Sequence, residues 1–317
     1  MSAALLALAL SLAGPDSGWV AGPDGVRLYY ERIGNGPRTI IVPGRLFLAR
    51  DLAPLGERHT LILYDMRNRG HSSRVEDGSL LTIQKDVEDL EAVRRHFRVE
   101  RFVPVGYSYL GFMVVLYAMD HPERVERVVQ LGPVPRRFGT EYPASLMHSD
   151  SVPVIDSATA ARIDSLERSG WAREHPREFC EESPRASKMR LVGDPSRAAR
   201  LMDPCDMPNE WPVNLERHFG HHFAAVQRLD VSQESVARVR APVLTIHGTW
   251  DRNAPYAAGR EWALTLPNAR LITVERAAHQ VTADAPEVVI PAIDAFVSGR
   301  WPDRAEKITS LERGPPR

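Results

Sequence analysis

Three side chains, Ser108, Asp251 and His279, have the types and placement to do covalent chemistry. Ser108 stands in Gly106-Tyr107-Ser108-Tyr109-Leu110-Gly111, where a short apolar run meets a turn and restarts at helical spacing through Leu110, Met113, Val114 and Tyr117. A serine at such a strand-to-helix bend has its hydroxyl lifted above the sheet edge. The N–H groups that follow, led by that of Tyr109, point at whatever the hydroxyl attacks. Asp251 lies in His247-Gly248-Thr249-Trp250-Asp251-Arg252-Asn253-Ala254-Pro255, and His279 in Ala277-Ala278-His279-Gln280, each after an apolar run. Singly they could be a turn serine, an Asx-turn aspartate and a surface histidine. Jointly they supply a nucleophile, a base for its proton and a carboxylate that holds the base in its useful tautomer.

The elements that must position these groups follow from apolar runs and turn punctuation. Strands are expected at 26–33, 39–42, 60–64, 102–105, 124–131, 242–247 and 270–274. Helices are expected at 83–97, with Thr82 as its cap, after Ser108, at 261–266 and at 287–297. Strands alternating with helices at this spacing predict an α/β fold, with a mostly parallel twisted sheet and helices on both faces. Loops at the carboxyl ends of such strands converge, so Ser108, Asp251, His279 and the Pro43-Gly44-Arg45-Leu46 loop can meet. From 133 to 239 the alternation stops, which predicts an inserted helical cap between core segments 19–132 and 240–299. The charged, Pro-bearing stretch 300–317 is expected to be a mobile tail.

Composition narrows the class. With 317 residues, 43% hydrophobic, the chain is long enough to bury a large core, and a formal net charge of −1 offers no field for nucleic acid or an anionic membrane. The apolar run at 1–14 is too short to span a bilayer and resembles a signal-peptide core, although no Lys or Arg precedes Arg27. Export, to the periplasm or beyond, is the expectation, with a packed helix in a cytoplasmic protein as the alternative. Cys180 and Cys205 fit export as a disulfide and a cytoplasmic protein as two buried thiols.

The order Ser, Asp, His, with Asp65-Met66-Arg67-Asn68-Arg69-Gly70-His71-Ser72 and the Asp251 loop, resembles the α/β-hydrolase fold over residues 19–299. Gly106-Tyr107-Ser108, Cys205-Asp206-Met207-Pro208-Asn209-Glu210 and Glu261-Trp262-Ala263-Leu264 look more closely like a capped subgroup related to proline iminopeptidases. The resemblance implies that Ser108 is the nucleophile, His279 its general base and Asp251 the orienting acid. It departs at two places: Leu110 stands where a small residue is usual, with Gly111 one place later, and Pro43-Gly44 replaces His-Gly. Because Pro43 has no N–H, the oxyanion donors are expected to be the backbone of Arg45, or secondarily Leu46, and of Tyr109.

An amidase acting on a free N-terminal residue needs a carboxylate for the substrate ammonium. Of Glu181, Glu182, Asp203, Asp206 and Glu210, the last is favoured by its place in the resembling motif. His218 and His222 share a helix face, yet no carboxylate motif accompanies them, so solvated histidines rather than metal ligands are expected. The expectation is a hydrolase needing no cofactor or metal. It would act on a small molecule or short peptide, first as an aminopeptidase and alternatively as a carboxylic ester hydrolase. A ligand-binding protein that kept the fold without catalysis is the reading from another class.

Overall fold

In a computed structural model, residues 16–147, 157–203 and 205–312 are described; the expected signal segment lies outside them. The apolar runs form a sheet of eight strands in the order β1-β2-β4-β3-β5-β6-β7-β8. In chain order these are β1 (Asp16–Ala21), β2 (Arg27–Ile33), β3 (Thr39–Pro43), β4 (Thr60–Tyr64), β5 (Val103–Tyr107), β6 (Val128–Leu131), β7 (Val243–Gly248) and β8 (Ala269–Val274). β1 and β2 pair antiparallel with their neighbours, and the rest of the sheet is parallel. β4 and β5 to β7 are buried at every residue, which is why their sequences read as continuous apolar runs rather than alternating ones.

Helices cover both faces. α1 (Arg45–Leu52) follows β3, α2 (Ile83–His96) follows β4, and α3 (Tyr109–Asp120) follows β5. Thr82 caps α2 by accepting a hydrogen bond from Lys85 N at 3.2 Å. Leu90 and Val93 of α2 join Met113 and Val114 of α3 in one core, while Leu48 and Leu52 of α1 lie in the core on the other face. The chain steps outward from β3 to β4 and then returns past β3 to β5, so the sheet order reverses between β3 and β5. A crevice at the carboxyl ends of these two strands is the consequence.

Between β6 and β7 the described residues form helices and no named strand: α4 (Ser157–Arg168), α5 (Trp171–Glu174), α6 (Pro176–Leu191), α7 (Pro212–Val226) and α8 (Gln233–Val236). Cys180 of α6 and Cys205 are joined in a disulfide. The core resumes with β7, α9 (Tyr256–Thr265), β8, α10 (Val281–Asp284) and α11 (Pro286–Val297), whose Ile293 and Phe296 join Leu48 and Leu52.

The described part of the segment after residue 300, expected to be mobile, is docked on the core. Leu271 and Glu306 exchange both backbone hydrogen bonds at 2.9 Å, Ala305 and Ile308 are buried, and the Arg260 guanidinium donates to the carbonyls of Ser310, Leu311 and Glu312. Its hold comes from backbone pairing and one distant arginine, which local periodicity does not encode.

Candidate active site

Ser108 is the single residue between β5 and α3, held at φ 58° and ψ −128°. A side chain in that region of backbone space costs about 1–3 kcal/mol and persists only where the surroundings over-determine it. Here they do. Ser108 N donates to Leu131 O at 2.9 Å, Gly111 N donates back to Ser108 O at 2.9 Å, and Gln130 Nε2 donates to Gly111 O at 2.9 Å. Gly106 is required because a Cβ there would lie 2.1 Å from Leu110 O. Residues 102–107 and 109–115 are buried, whereas Ser108 is partly exposed.

The two departures from the family pattern meet each other. Leu110 packs toward Gly44, where a Cβ would approach its Cδ1 to 2.8 Å, and Gly44 itself sits at φ 80°. The close approach usually made two places after the serine is taken by Gly111, whose Cβ would lie 3.1 Å from that of Pro133.

Asp251 is fully buried and all four of its acceptor positions are used. Oδ1 accepts from Asn253 N at 2.8 Å and Ala254 N at 2.9 Å; Oδ2 accepts from His279 Nδ1 at 2.7 Å and from His247 Nε2 at 3.1 Å. Burial pushes the Asp251 carboxyl up, but the charge and hydrogen bonds of His279 and His247 outweigh it and hold the group well below the usual carboxylate range. With Nδ1 committed to Asp251, Nε2 of His279 is the nitrogen left for a hydroxyl.

The histidine loop is tied to the acid loop through Trp250 N to Ala277 O at 2.9 Å and Arg276 N to Thr249 Oγ1 at 2.9 Å. It is gripped from two further sides, by Gln280 N to Leu191 O at 2.8 Å and Gln280 Nε2 to Phe47 O at 2.9 Å. The His279 ring lies 4.7 Å from that of Tyr107, the residue before Ser108. A Cβ on Gly132, which follows the Leu131 carbonyl that binds Ser108, would sit 3.2 Å from Asp251 Oδ2 and 3.4 Å from His279 Nδ1. The serine and the acid–histidine pair thus flank the same end of β6.

Arg45 and Tyr109 are each the first residue of a helix, where N–H groups have no acceptor one turn back. Of residues 43–46, read from sequence as a loop, Pro43 ends β3, Gly44 is the cap position of α1, and Arg45 and Leu46 open that helix. The Arg45 side chain is turned into ion pairs with Asp65 at 2.9 Å and Glu31 at 2.9 Å, which leaves its backbone as the part available to a ligand.

Glu210 is almost fully buried, and its carboxylate accepts from Arg69 Nη2 at 2.7 Å, Arg69 Nε at 2.9 Å and Gly70 N at 2.7 Å. Burial opposes the Arg69 charge, but Glu210 outweighs it and raises the guanidinium pKa above its ordinary value. Asn209 Nδ2 reaches Ser72 O at 2.8 Å and Asn214 Nδ2 reaches Asn68 O at 3.1 Å, so this edge of the helical segment between β6 and β7 docks on the 65–72 loop. Glu181, Glu182, Asp203 and Asp206 pair instead with Arg177, Arg162, Lys188 and Arg177.

His218 and His222, expected to be solvated, are fully buried. Their rings stack at 5.2 Å, and His222 Nε2 meets Asp86 Oδ2 at 2.6 Å and packs 4.8 Å from the Tyr109 ring. Among the described residues neither nitrogen of His218 has a hydrogen-bond partner, and burial first, then Arg69 and His222, push its imidazole down to about 2. Among the described residues no cluster of three His, Cys, Asp or Glu could hold a metal ion. Arg69 and His247 are the site residues that sequence reading passed over; their signal was present only as membership of the two resembling loops.

A family model for the alpha/beta hydrolase fold matches residues 43–286. A rhodomycin D methylesterase of Streptomyces peucetius is 26% identical over 287 residues, covering 86% of this chain and 95% of that protein. A protein of Mycoplasma pneumoniae named for proline iminopeptidase activity is 40% identical, but over 68 residues, 22% of each chain, so it bears only weakly on the subgroup. Among solved structures, a serine hydrolase of the polyaromatic hydrocarbon-degrading bacterium Cycloclasticus zankles superposes with a TM-score of 0.67 at 15% identity, covering 90% of this chain and 99% of that one. With its family model spanning most of its length, the chain belongs to the alpha/beta hydrolase fold family.

Proposed function

We propose that the protein is a serine hydrolase that cleaves carboxylic esters of small molecules through an acyl-Ser108 intermediate. His279 Nε2 takes the Ser108 hydroxyl proton as Oγ attacks the ester carbonyl. The first-turn N–H groups of Arg45 and Tyr109 hold the oxyanion, and the proton passes to the departing alcohol. A water then attacks the acyl-serine, giving its proton to His279 and releasing the acid, and the same proton restores Ser108. The observation that carries this reading is the buried Asp251–His279 hydrogen bond of 2.7 Å beside a serine held at positive φ.

Ester rather than N-terminal peptide cleavage is favoured by the environment of Glu210. To receive an ammonium group it would have to give up Arg69 and Gly70 N, both within 2.9 Å. The methylesterase name of a relative matched over nearly its whole length points the same way. The Cys180–Cys205 bond supports an oxidising, extracytoplasmic location, and the mass of the mature N-terminus would test it.

Whole-protein mass spectrometry after fluorophosphonate treatment tests the nucleophile: one adduct is expected on the wild type and none on Ser108→Ala. Rates on 4-nitrophenyl esters, N-blocked amides and free-amine amides test the substrate class. Faster turnover of free-amine amides than of esters would overturn the ester reading and favour the aminopeptidase.

A further inference from the structure

Asp251 is gripped by two imidazoles on the same oxygen. Besides His279, His247 brings Nε2 to 3.1 Å from Oδ2, and the same nitrogen lies 3.0 Å from Ala254 O. An ionised carboxylate and a carbonyl have no proton to give, so Nε2 carries the hydrogen and forks it between them. The ring is fully buried and clamped in place: a Cβ on Gly259 of α9 would lie 2.3 Å from Nδ1 and 2.9 Å from Cγ, so only glycine lets the helix backbone lie against it. Tyr256 closes the other approach edge-on, with ring centroids 6.0 Å apart.

We propose that His247 is a positioning residue for hydrolysis: by donating to Asp251 Oδ2 beside His279, it fixes the rotation of the carboxylate and limits how strongly that oxygen draws on the His279 Nδ1 proton. The inference rests on the reading of Ser108, His279 and Asp251 as the catalytic group. Oδ1 is anchored by two backbone N–H groups, but these lie on one edge of the carboxylate. Without His247, Oδ2 keeps only the side chain it must orient. A carboxylate relieved of one donor is also a stronger base toward imidazolium, so His279 would hold its proton to higher pH. The other titratable groups near His279 are the Tyr107 ring at 4.7 Å and Asp284, which accepts from Ala278 N at 2.8 Å; neither depends on His247.

The test compares His247→Gln, whose Nε2 reaches about as far as that of imidazole, with His247→Asn, whose amide falls short. Hydrolysis of 4-nitrophenyl butyrate is followed across pH, with rates expressed per site titrated by fluorophosphonate. His247→Asn is expected to lose roughly 10- to 100-fold in kcat, the range for a lost hydrogen bond to a charged acceptor. KM should hold and the acid limb of kcat/KM should move to higher pH, while His247→Gln recovers both. A merely structural histidine would change the titratable fraction and leave kcat per site and the acid limb unmoved, and that result overturns the proposal. Should the Asn variant not fold, nitrogen NMR of the wild type still decides: His247 must be the Nε2–H tautomer, and finding the Nδ1–H form refutes the assignment. Absence of any fluorophosphonate adduct would instead remove the underlying reading, so the two failures are distinguishable.

Discussion

Replacing Glu210 separates a structural carboxylate from a substrate-binding one. In the wild type Glu210 and Arg69 form a buried bidentate pair at 2.7 and 2.9 Å, with Gly70 N as a third donor at 2.7 Å. Glu210→Ala leaves a buried guanidinium unpaired, which typically costs about 3–5 kcal/mol. The Phe47 and Phe219 rings, 5.4 and 5.3 Å from the guanidinium carbon, pack on it in the wild type and in the variant alike, so their contribution cancels from the difference. The expected loss is therefore roughly 3–5 kcal/mol. The partner variant Arg69→Met should lose a similar amount, and the double variant Arg69→Met with Glu210→Leu should return to within about 1 kcal/mol of wild type, because neither charge is then stranded. Urea denaturation of the four proteins gives the coupling, and hydrogen exchange at Gly70 and along α7 locates it where the helices between β6 and β7 meet the 65–72 loop. The reasoning fails if Glu210→Ala costs less than about 1 kcal/mol, within the range of an ordinary surface change. Selective loss of free-amine substrates in that variant would mark Glu210 as the ammonium anchor.

Two further perturbations test the helical segment between β6 and β7. His218 has its folded pKa depressed to about 2, below the unfolded value, so its contribution is present above the unfolded pKa and is lost as pH falls beneath it. Between pH 8 and pH 5 the unfolded imidazole gains a proton that the folded one refuses, which removes about 2 kcal/mol. Urea midpoints of wild type and His218→Met at the two pH values should show this slope in the wild type alone, and equal slopes would refute it. Reducing Cys180–Cys205, which spans 25 residues, should lower stability by about 3.5 kcal/mol in the chain-entropy model. The thermal midpoint should fall with reductant in the wild type and be insensitive to it in a Cys180→Ser, Cys205→Ser protein. An unmoved midpoint with both thiols demonstrably free would contradict the estimate.

What the sequence made legible was the local part of the fold. Buried parallel strands announce themselves as apolar runs between glycines and prolines, and Thr82 and the Ser108 bend are written in a few adjacent residues. α1 was not readable, since its buried Arg45 and Asp51 are accommodated by ion pairs with Asp65 and Arg200 rather than by an apolar stripe. β1 escaped for the opposite reason, being a mostly exposed edge hairpin with one buried residue. The burial of Glu210 and His222 depends on Arg69 and Asp86, 141 and 136 residues away, and no periodicity reports such pairings. Ser108, Asp251 and His279 could be singled out as a proposed triad because their loops follow strands; that one carboxylate oxygen serves two histidines could not.

The backbone exchange between Leu271 and Glu306 also bears on solubility. β8 ends the sheet, and an unpaired edge carrying Leu271, Ile272 and Val274 would present free N–H and C=O groups for another chain to extend. The segment at 301–312 pairs with that edge at one position, Glu306 on Leu271, and lays a charged strip beside it that hinders extension by another chain. A chain cut after residue 300 would keep every residue of the proposed catalytic group, yet it would expose that margin next to the loop bearing His279. Its failure would be self-association at high concentration, well before any loss of the proposed chemistry.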